Sequence, residues 1–274
     1  MNLNREGYKL VFEENFDGGL EKNRWKVLED KVKSHSAKVN PLEPTHVITY
    51  SADKHEGAEM NYRPENVAVK DGALVITAAK DGDGYQGGKA ICEGPIFAHG
   101  YFEVEAELPA FQKGVWPVFS LRSLDSNQYR PEFDIIAVHG DKARNASNVV
   151  IRYLDPIYEA PRAFNLMYNQ EHRCYPIESS GEFLTPGVHT FGLEWTDEFV
   201  AFYCDGVEYN KIDVTASTYK PIGYKNFAKF TVGLSIGLPN IEAPSPDIEL
   251  PAELKIRNIK VYQCDDDLFV FRTR

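Results

Sequence analysis

The chain has 274 residues, 43% hydrophobic and 12% aromatic, which is enough to bury a substantial core and excludes a disordered protein. Its 41 acidic against 30 basic residues give a formal charge of -11, which argues against nucleic acid and anionic membrane surfaces as partners and favours neutral ligands. No stretch approaches the roughly 18 uninterrupted apolar residues of a membrane span, and the opening MNLNREGYKLVFEENF lacks the apolar region of an export signal, so a cytoplasmic protein or an extracellular one whose leader has been removed is expected.

In chain order, the first long feature is the polar stretch Asp30–His55, which reads as a loop of the length usually reserved for function. Asn66–Ala78 then alternates polar and apolar residues around Lys70-Asp71-Gly72, the signal of a β-hairpin. In YFEVEAEL, Phe102, Val104, Ala106 and Leu108 share one face while Tyr101, Glu103, Glu105 and Glu107 share the other, which predicts a half-buried antiparallel strand. The same period returns in Glu198–Tyr209 around Asp205-Gly206, in Phe230–Ile236 and, more loosely, in Leu254–Tyr262. No segment sustains a 3.6-residue period, and 20 Gly and 16 Pro punctuate the chain, so an all-β sandwich is predicted, in one domain over residues 1–274. Cys92, Cys174, Cys204 and Cys264 form no CxxC pair, which leaves isolated thiols instead of a zinc ribbon or a disulfide framework.

The stretch PEFDIIAVHG, residues 131–140, breaks the pattern. In a regular strand Glu132 and Asp134 would share a face with Ile136 and Val138, leaving both faces chemically mixed. One extra residue accommodated as a bulge at Ile135-Ile136 sends Phe133 and Val138 to the core and gathers Glu132, Asp134, Ala137 and His139 on the other face. Two carboxylates at i and i+2 repel one another and raise one pKa unless another group compensates, which a sandwich seldom accepts without a functional reason.

Glu132-Phe133-Asp134-Ile135-Ile136 resembles the Glu-x-Asp-x-x-Glu signature of glycoside hydrolase family 16, the laminarinase, agarase and carrageenase group, with Ala137 standing where that signature has its second Glu. LVFEENFDGGLEKNRW (10–25), ENVAVKDGALVITAAK (65–80), HGYFEVEAELPAFQKGVWPVF (99–119), HTFGLEWTDEFVAFYCDGVEY (189–209) and LKIRNIKVYQ (254–263) are similar to that family's segments, in its order. The resemblance implies a curved antiparallel β-sandwich of jelly-roll type whose concave cleft holds a polysaccharide or oligosaccharide, and hydrolysis of β-linked glycans with retention of configuration. It implies Glu132 as nucleophile, Asp134 as its support and position 137 as the acid/base.

A retaining glycosidase needs two carboxyls about 5–5.5 Å apart, one attacking the anomeric carbon and one protonating the leaving oxygen. Alanine can do neither, and positioned acid–base catalysis supplies about 10²- to 10⁴-fold, so a badly impaired hydrolase is expected. Retention of Glu132 and Asp134 favours an inactivated enzyme over the alternative, a non-catalytic carbohydrate-binding protein of the same fold.

Trp116 matches the family's stacking platform, with Phe119 as a further aromatic candidate; Arg63 and Asn66 match its sugar-binding pair, while Trp25 and Trp195 are assigned to the core. His139 is either a sugar contact or an ordinary surface histidine. The loops Asp30–His55 and Arg152–Tyr175 are expected to choose the sugar, and Arg152 and Arg162 read as surface charges. Gly233–Gly237 fits a Gly-x-Ser-x-Gly elbow around Ser235, but no histidine follows it and LPNIEAPSPD cannot make the required helix. No cofactor is required; a structural calcium of the family is put in question by Asn15 and Arg257, which stand where acids are often found. Asn145-Ala146-Ser147 is a glycosylation sequon if a eukaryote secretes the chain. A monomer is expected, with neither nucleic acid nor membrane as partner.

Overall fold

The computed structural model describes residues 7–20, 25–27, 30–31, 60–123, 130–139, 143–146, 148–155, 160–164, 174–175, 182–215, 228–236 and 244–264. Beyond Asp30–Lys31, the predicted loop up to His55 lies outside them. The strands begin with β1 (Lys9–Glu14), β2 (Trp25–Val27), β3 (Asp30–Lys31) and β4 (Met60–Tyr62), followed by a single 3-10 turn at Pro64–Asn66. Next come β5 (Val67–Lys70), β6 (Ala73–Asp81), β7 (Gly84–Cys92), β8 (Gly100–Leu108), β9 (Val115–Ser123) and β10 (Arg130–His139). β11 (Arg144–Ala146), β12 (Asn148–Asp155), β13 (Ala160–Phe164), β14 (Cys174–Tyr175) and β15 (Gly187–Trp195) follow. β16 (Phe199–Cys204), β17 (Val207–Asp213), β18 (Ala228–Ile236) and β19 (Ala252–Gln263) close the series, and no α-helix occurs among the described residues.

These strands form two layers of a curled, nearly all-antiparallel sandwich. The outer sheet runs β5–β6–β19–β8–β15–β16–β17, with β1 beside β19. The concave sheet runs β2–β7–β18–β9–β10–β12–β13. β6 links the layers, pairing through Ala78 with β19 and from Ala79 with β7. The β5–β6 and β16–β17 hairpins turn where the sequence predicts: Asp71 and Gly72 have φ of 52° and 70°, and Asp205 and Gly206 of 48° and 81°. Two consecutive positive φ values are the type I′ geometry whose twist matches the flanking strands.

Alternation places the core. Phe102, Val104, Ala106 and Leu108 of β8 are buried against Phe119 and Leu121 of β9 and Phe230 of β18. Phe230 joins the layers, its ring centroid 6.1 Å from that of Phe102, 5.4 Å from Phe119 and 5.6 Å from Phe97. Phe133 of β10 meets Trp195 of β15 at 4.9 Å, and Trp25 is likewise buried, as expected. Burying each such ring stabilises the fold by about 1.5–3 kcal/mol. One expectation changes: the start of Arg152–Tyr175 is not cleft loop, because NVVIRYLD and APRAF pair as β12 and β13, where Val149, Val150 and Ile151 suit a pleated surface.

Candidate active site

The site is built on β10. Glu132 pairs with Arg122, Phe133 with Leu121 and Asp134 with Ser120 on β9; the register then shifts, and Ile136 pairs with Phe119 and Ala137 with Val118. The extra residue is Ile135, so the bulge falls where the separation of polar from apolar residues predicts it. Phe133, Ile136 and Val138 fill the core, while Glu132, Asp134 and Ala137 hold concave-face positions together with Arg122, Ser120, Val118 and Trp116 of β9. His139 follows on the same face by register, opposite Arg144. The side chains of Glu132 and His139 lie outside the described residues.

A bulge leaves backbone groups out of the ladder, and here one side chain takes them up. Asn145 of β11 accepts a hydrogen bond from the Ala137 N–H at 2.8 Å and donates to the Ile135 carbonyl at 2.9 Å. Its second amide hydrogen goes to the Tyr209 hydroxyl of β17 in the outer sheet, at 3.1 Å. Asn145 is 0% exposed, so every bond is made away from water and the amide is closed to glycosylation in the folded chain. The clamp spans the step from Ile135 to Ala137, fixing position 137 relative to the acid pair. Asp134 is itself 7% exposed, Ser120 is fully buried, and Arg122 donates from Nε to the Ser120 hydroxyl at 3.3 Å.

Trp116 takes its place through the turn before it. Gly114 has φ of 92°, and a Cβ there would sit 2.4 Å from the Pro244 Cα, so only glycine lets the two segments touch. Gln112 staples the same segments, donating to the Glu249 carbonyl at 2.9 Å and accepting from the Glu249 N–H at 2.6 Å. Trp116 then lies opposite Ser235 of β18, two positions along the face from Val118, the partner of Ala137. Ser235 thus lies within β18, paired with β9.

Other predicted residues fall differently. Phe119 is not in the cleft: its odd position in β9 turns it into the core, fully buried against Phe230. Asn66 is 8% exposed and spends its amide hydrogens on the Gly87 carbonyl at 3.1 Å and Gln86 Oε1 at 3.3 Å. Arg63 pairs with Asp81 at 3.2 Å while its backbone N–H donates to Gly87. Both residues therefore fasten the 3-10 turn to β7. Asn145 and Tyr209 were missed; the only sequence signal at Asn145 was the sequon.

A model of the family described as glycosyl hydrolases family 16 matches residues 54–237. The chain belongs to glycosyl hydrolase family 16. Within curated proteins it is 29% identical over 211 residues to the endo-1,3-1,4-beta-glycanase ExsH of Rhizobium meliloti, covering 73% of this chain and 40% of that protein. It is 25% identical over 179 residues to a glucan endo-1,3-beta-glucosidase of Cryptopygus antarcticus, covering 61% of this chain and 62% of that one. The chain thus spans well under half the length of ExsH. The catalytic domain of a laminarinase from Thermotoga petrophila superposes with a TM-score of 0.65 at 22% identity, covering 94% of this chain and 98% of that one. The laminarinase of Flavobacterium sp. UMI-01 gives 0.64 at 24%, covering 93% and 100%. These superpositions establish the jelly-roll fold.

Asn15 and Arg257, which stand where the resemblance puts acids for a structural calcium, are engaged with carboxylates: Arg257 donates to Glu107, and Asn15 donates to Asp17 at 2.6 Å. His189, Cys204 and Asp205 also cluster, but His189 contacts Asp205 Oδ2 at 2.7 Å and the Thr185 carbonyl at 2.9 Å through its two ring nitrogens. Burial, with the nearby Asp205 charge, pushes the Cys204 thiol up.

Proposed function

We propose that the chain is a retaining, endo-acting β-glycanase of the β-1,3-glucan or β-galactan class, with Glu132 as nucleophile, Asp134 as its support, and the acid/base position occupied by Ala137. The observation that carries this reading is the bulge between Asp134 and Ile136, which gathers positions 132, 134 and 137 on one face. The names of the glycanase relatives support it. In the reaction, the Glu132 carboxylate forms a bond to the anomeric carbon as the glycosidic C–O bond breaks; water then releases the sugar with its configuration retained. Without a carboxyl at 137 the leaving oxygen receives no positioned proton, so natural linkages are cut slowly and activated leaving groups depart unaided. Trp116 offers a ring face for stacking, with Arg63 and His139 as further sugar contacts, while Asn66 positions the turn that carries Arg63. No cofactor takes part, and the protein works as a monomer.

Ala137 itself supports a second reading, a non-catalytic carbohydrate-binding protein. Ala137→Glu separates them. Assayed for reducing ends on laminarin, mixed-linkage glucan, agarose, carrageenan and mucin glycans, the substituted protein is expected to gain about 10²- to 10⁴-fold on one polymer. A β-glycoside with a good leaving group should label Glu132 in the unsubstituted chain, and azide should restore turnover as a β-azide product. No labelling and no gain, with glycan binding intact, would leave the binding protein as the answer.

A further inference from the structure

On the side of β10 away from β9, one aromatic ring stands in water. Phe183 is 63% exposed, the most of any large hydrophobic among the described residues, yet its segment is tied down on both sides of it. The Leu184 N–H donates to the Ala143 carbonyl at 2.8 Å, and the Arg144 guanidinium donates to the Glu182 carbonyl at 3.0 Å. Leu184 is buried in the core while its neighbour Phe183 faces out; on β11, Asn145 is buried between the sheets, which turns Arg144 to the opposite, concave side. The guanidinium carbon lies over the Phe183 ring, 4.9 Å from its centroid, at cation–π distance, and so backs one face of it.

Register sets this pair in line with the tryptophan. Arg144 pairs with His139 on one side of β10. On the other side Ala137 pairs with Val118, and two positions along the same ladder position 139 comes level with Trp116. Trp116, position 139, Arg144 and Phe183 therefore form a row running across β9, β10, β11 and the segment beside β11, one step along the concave face from position 137. With strands about 4.8 Å apart, the two aromatic residues stand on the order of 15 Å from one another, on opposite sides of the strand that carries Glu132 and position 137. We infer that Phe183 is a second stacking platform, which takes a sugar ring on the far side of the scissile bond from Trp116, and that Arg144 is its positioning residue. A ring already fixed by an anchored arginine loses little freedom when a sugar settles on it. This rests on the concave face being a glycan cleft.

The test is titration of the full chain and of its Phe183→Ala, Phe183→Trp and Val188→Ala forms with the laminari-oligosaccharides, from the disaccharide to the heptasaccharide, and with the agaro-oligosaccharide series. In the series that binds, Phe183→Ala should leave the shortest members, which fit on the Trp116 side alone, unchanged and weaken those long enough to cross β10 by about two- to tenfold. Phe183→Trp should restore the long members, and Val188→Ala, which removes an exposed side chain from the outer sheet, should change nothing. All four proteins should melt together, because neither substituted side chain is buried. In the Ala137→Glu background, Phe183→Ala should raise KM on the polymer that is cut more than it lowers kcat. An equal loss at every length, no loss at any length or an unchanged KM overturns the inference, and binding that still grows with oligosaccharide length leaves the glycanase reading standing. No binding to either series, with Ala137→Glu inactive on every polymer, removes both readings.

Discussion

On the outer sheet, Glu107 accepts hydrogen bonds from Lys255 at 3.0 Å and from Arg257, and Lys260 lies 3.7 Å from Glu13. On the concave sheet, Glu132 and Asp134 stand two positions apart on one face, and Arg130 stands opposite Arg152. Both surfaces come from the same two-residue alternation, yet the first sets acids beside bases across its strands, whereas the register of the second brings two acids and two arginines to adjacent positions. The second face also bends its strand with a bulge and sets a tryptophan behind a glycine turn, the features on which the proposed cleft is built.

The largest break in this contrast is expected from Asn145→Leu. It leaves the Ala137 N–H and the Ile135 carbonyl buried without their partner, each costing about 1–3 kcal/mol. Denaturant unfolding should show the loss, and amide exchange at Ala137 should accelerate beyond that of its β10 neighbours. In the Ala137→Glu background, kcat should fall more than KM rises; protection of Ala137 equal to that of the unsubstituted chain would discard the clamp. Gly114→Ala comes next, since it forces a left-handed φ on alanine and a clash with Pro244, a strain of about 1–3 kcal/mol. Weaker glycan binding measured by titration, beyond the loss of stability, would show that the turn sets Trp116.

Tyr209→Phe removes one bond of the clamp and should cost about 0.5–1.5 kcal/mol. A double-mutant cycle with Asn145→Leu should show that the two losses do not add. The smallest effect belongs to the outer sheet: Glu107→Gln should cost under about 1 kcal/mol, because its partners are solvent-exposed. Hydrogen bonds from Arg257 and then Lys255 hold the Glu107 carboxyl below the usual carboxylate range, and Glu107 raises Lys255. The carboxylate's contribution is therefore present above its unfolded pKa of about 4.3 and lost as pH falls through the lower folded value. That of Lys255 is full below about 10.4 and lost as pH rises through its higher folded value. Thermal melts of the two proteins should differ by a constant small margin between those limits, converge in acid, and narrow without vanishing in alkali, where Arg257 stays charged; a margin that persists in acid would mean Glu107 acts through packing.

Much of the architecture was legible because it is local. Alternation in residues 101–108 and Asp-Gly at 71–72 and 205–206 determine strands and hairpins within a few residues of themselves, and the bulge was readable because any regular register mixes acids with isoleucines. Phe119 is a cleft candidate only by residue type; the parity of β9 sends it to the core, since 116, 118 and 120 share a face that 119 cannot. β12 and β13 were missed because arginine, proline and alanine blur their pattern. The clamp was beyond reach for a different reason: Asn145 and Tyr209 are 64 residues apart, and only the packing of one sheet on the other brings them together.

Asn145 also begins the sequence Asn-Ala-Ser, and its burial has a practical consequence for making the protein. In a eukaryotic secretory host, oligosaccharyl transfer reaches sequons on the chain before it folds, and a bulky glycan on this amide would occupy the space between the sheets. Material from such a host is expected to divide into an unmodified folded fraction and a glycosylated fraction that fails quality control. Bacterial expression, or Ser147→Ala in yeast, avoids that division and leaves the amide that bridges the bulge intact.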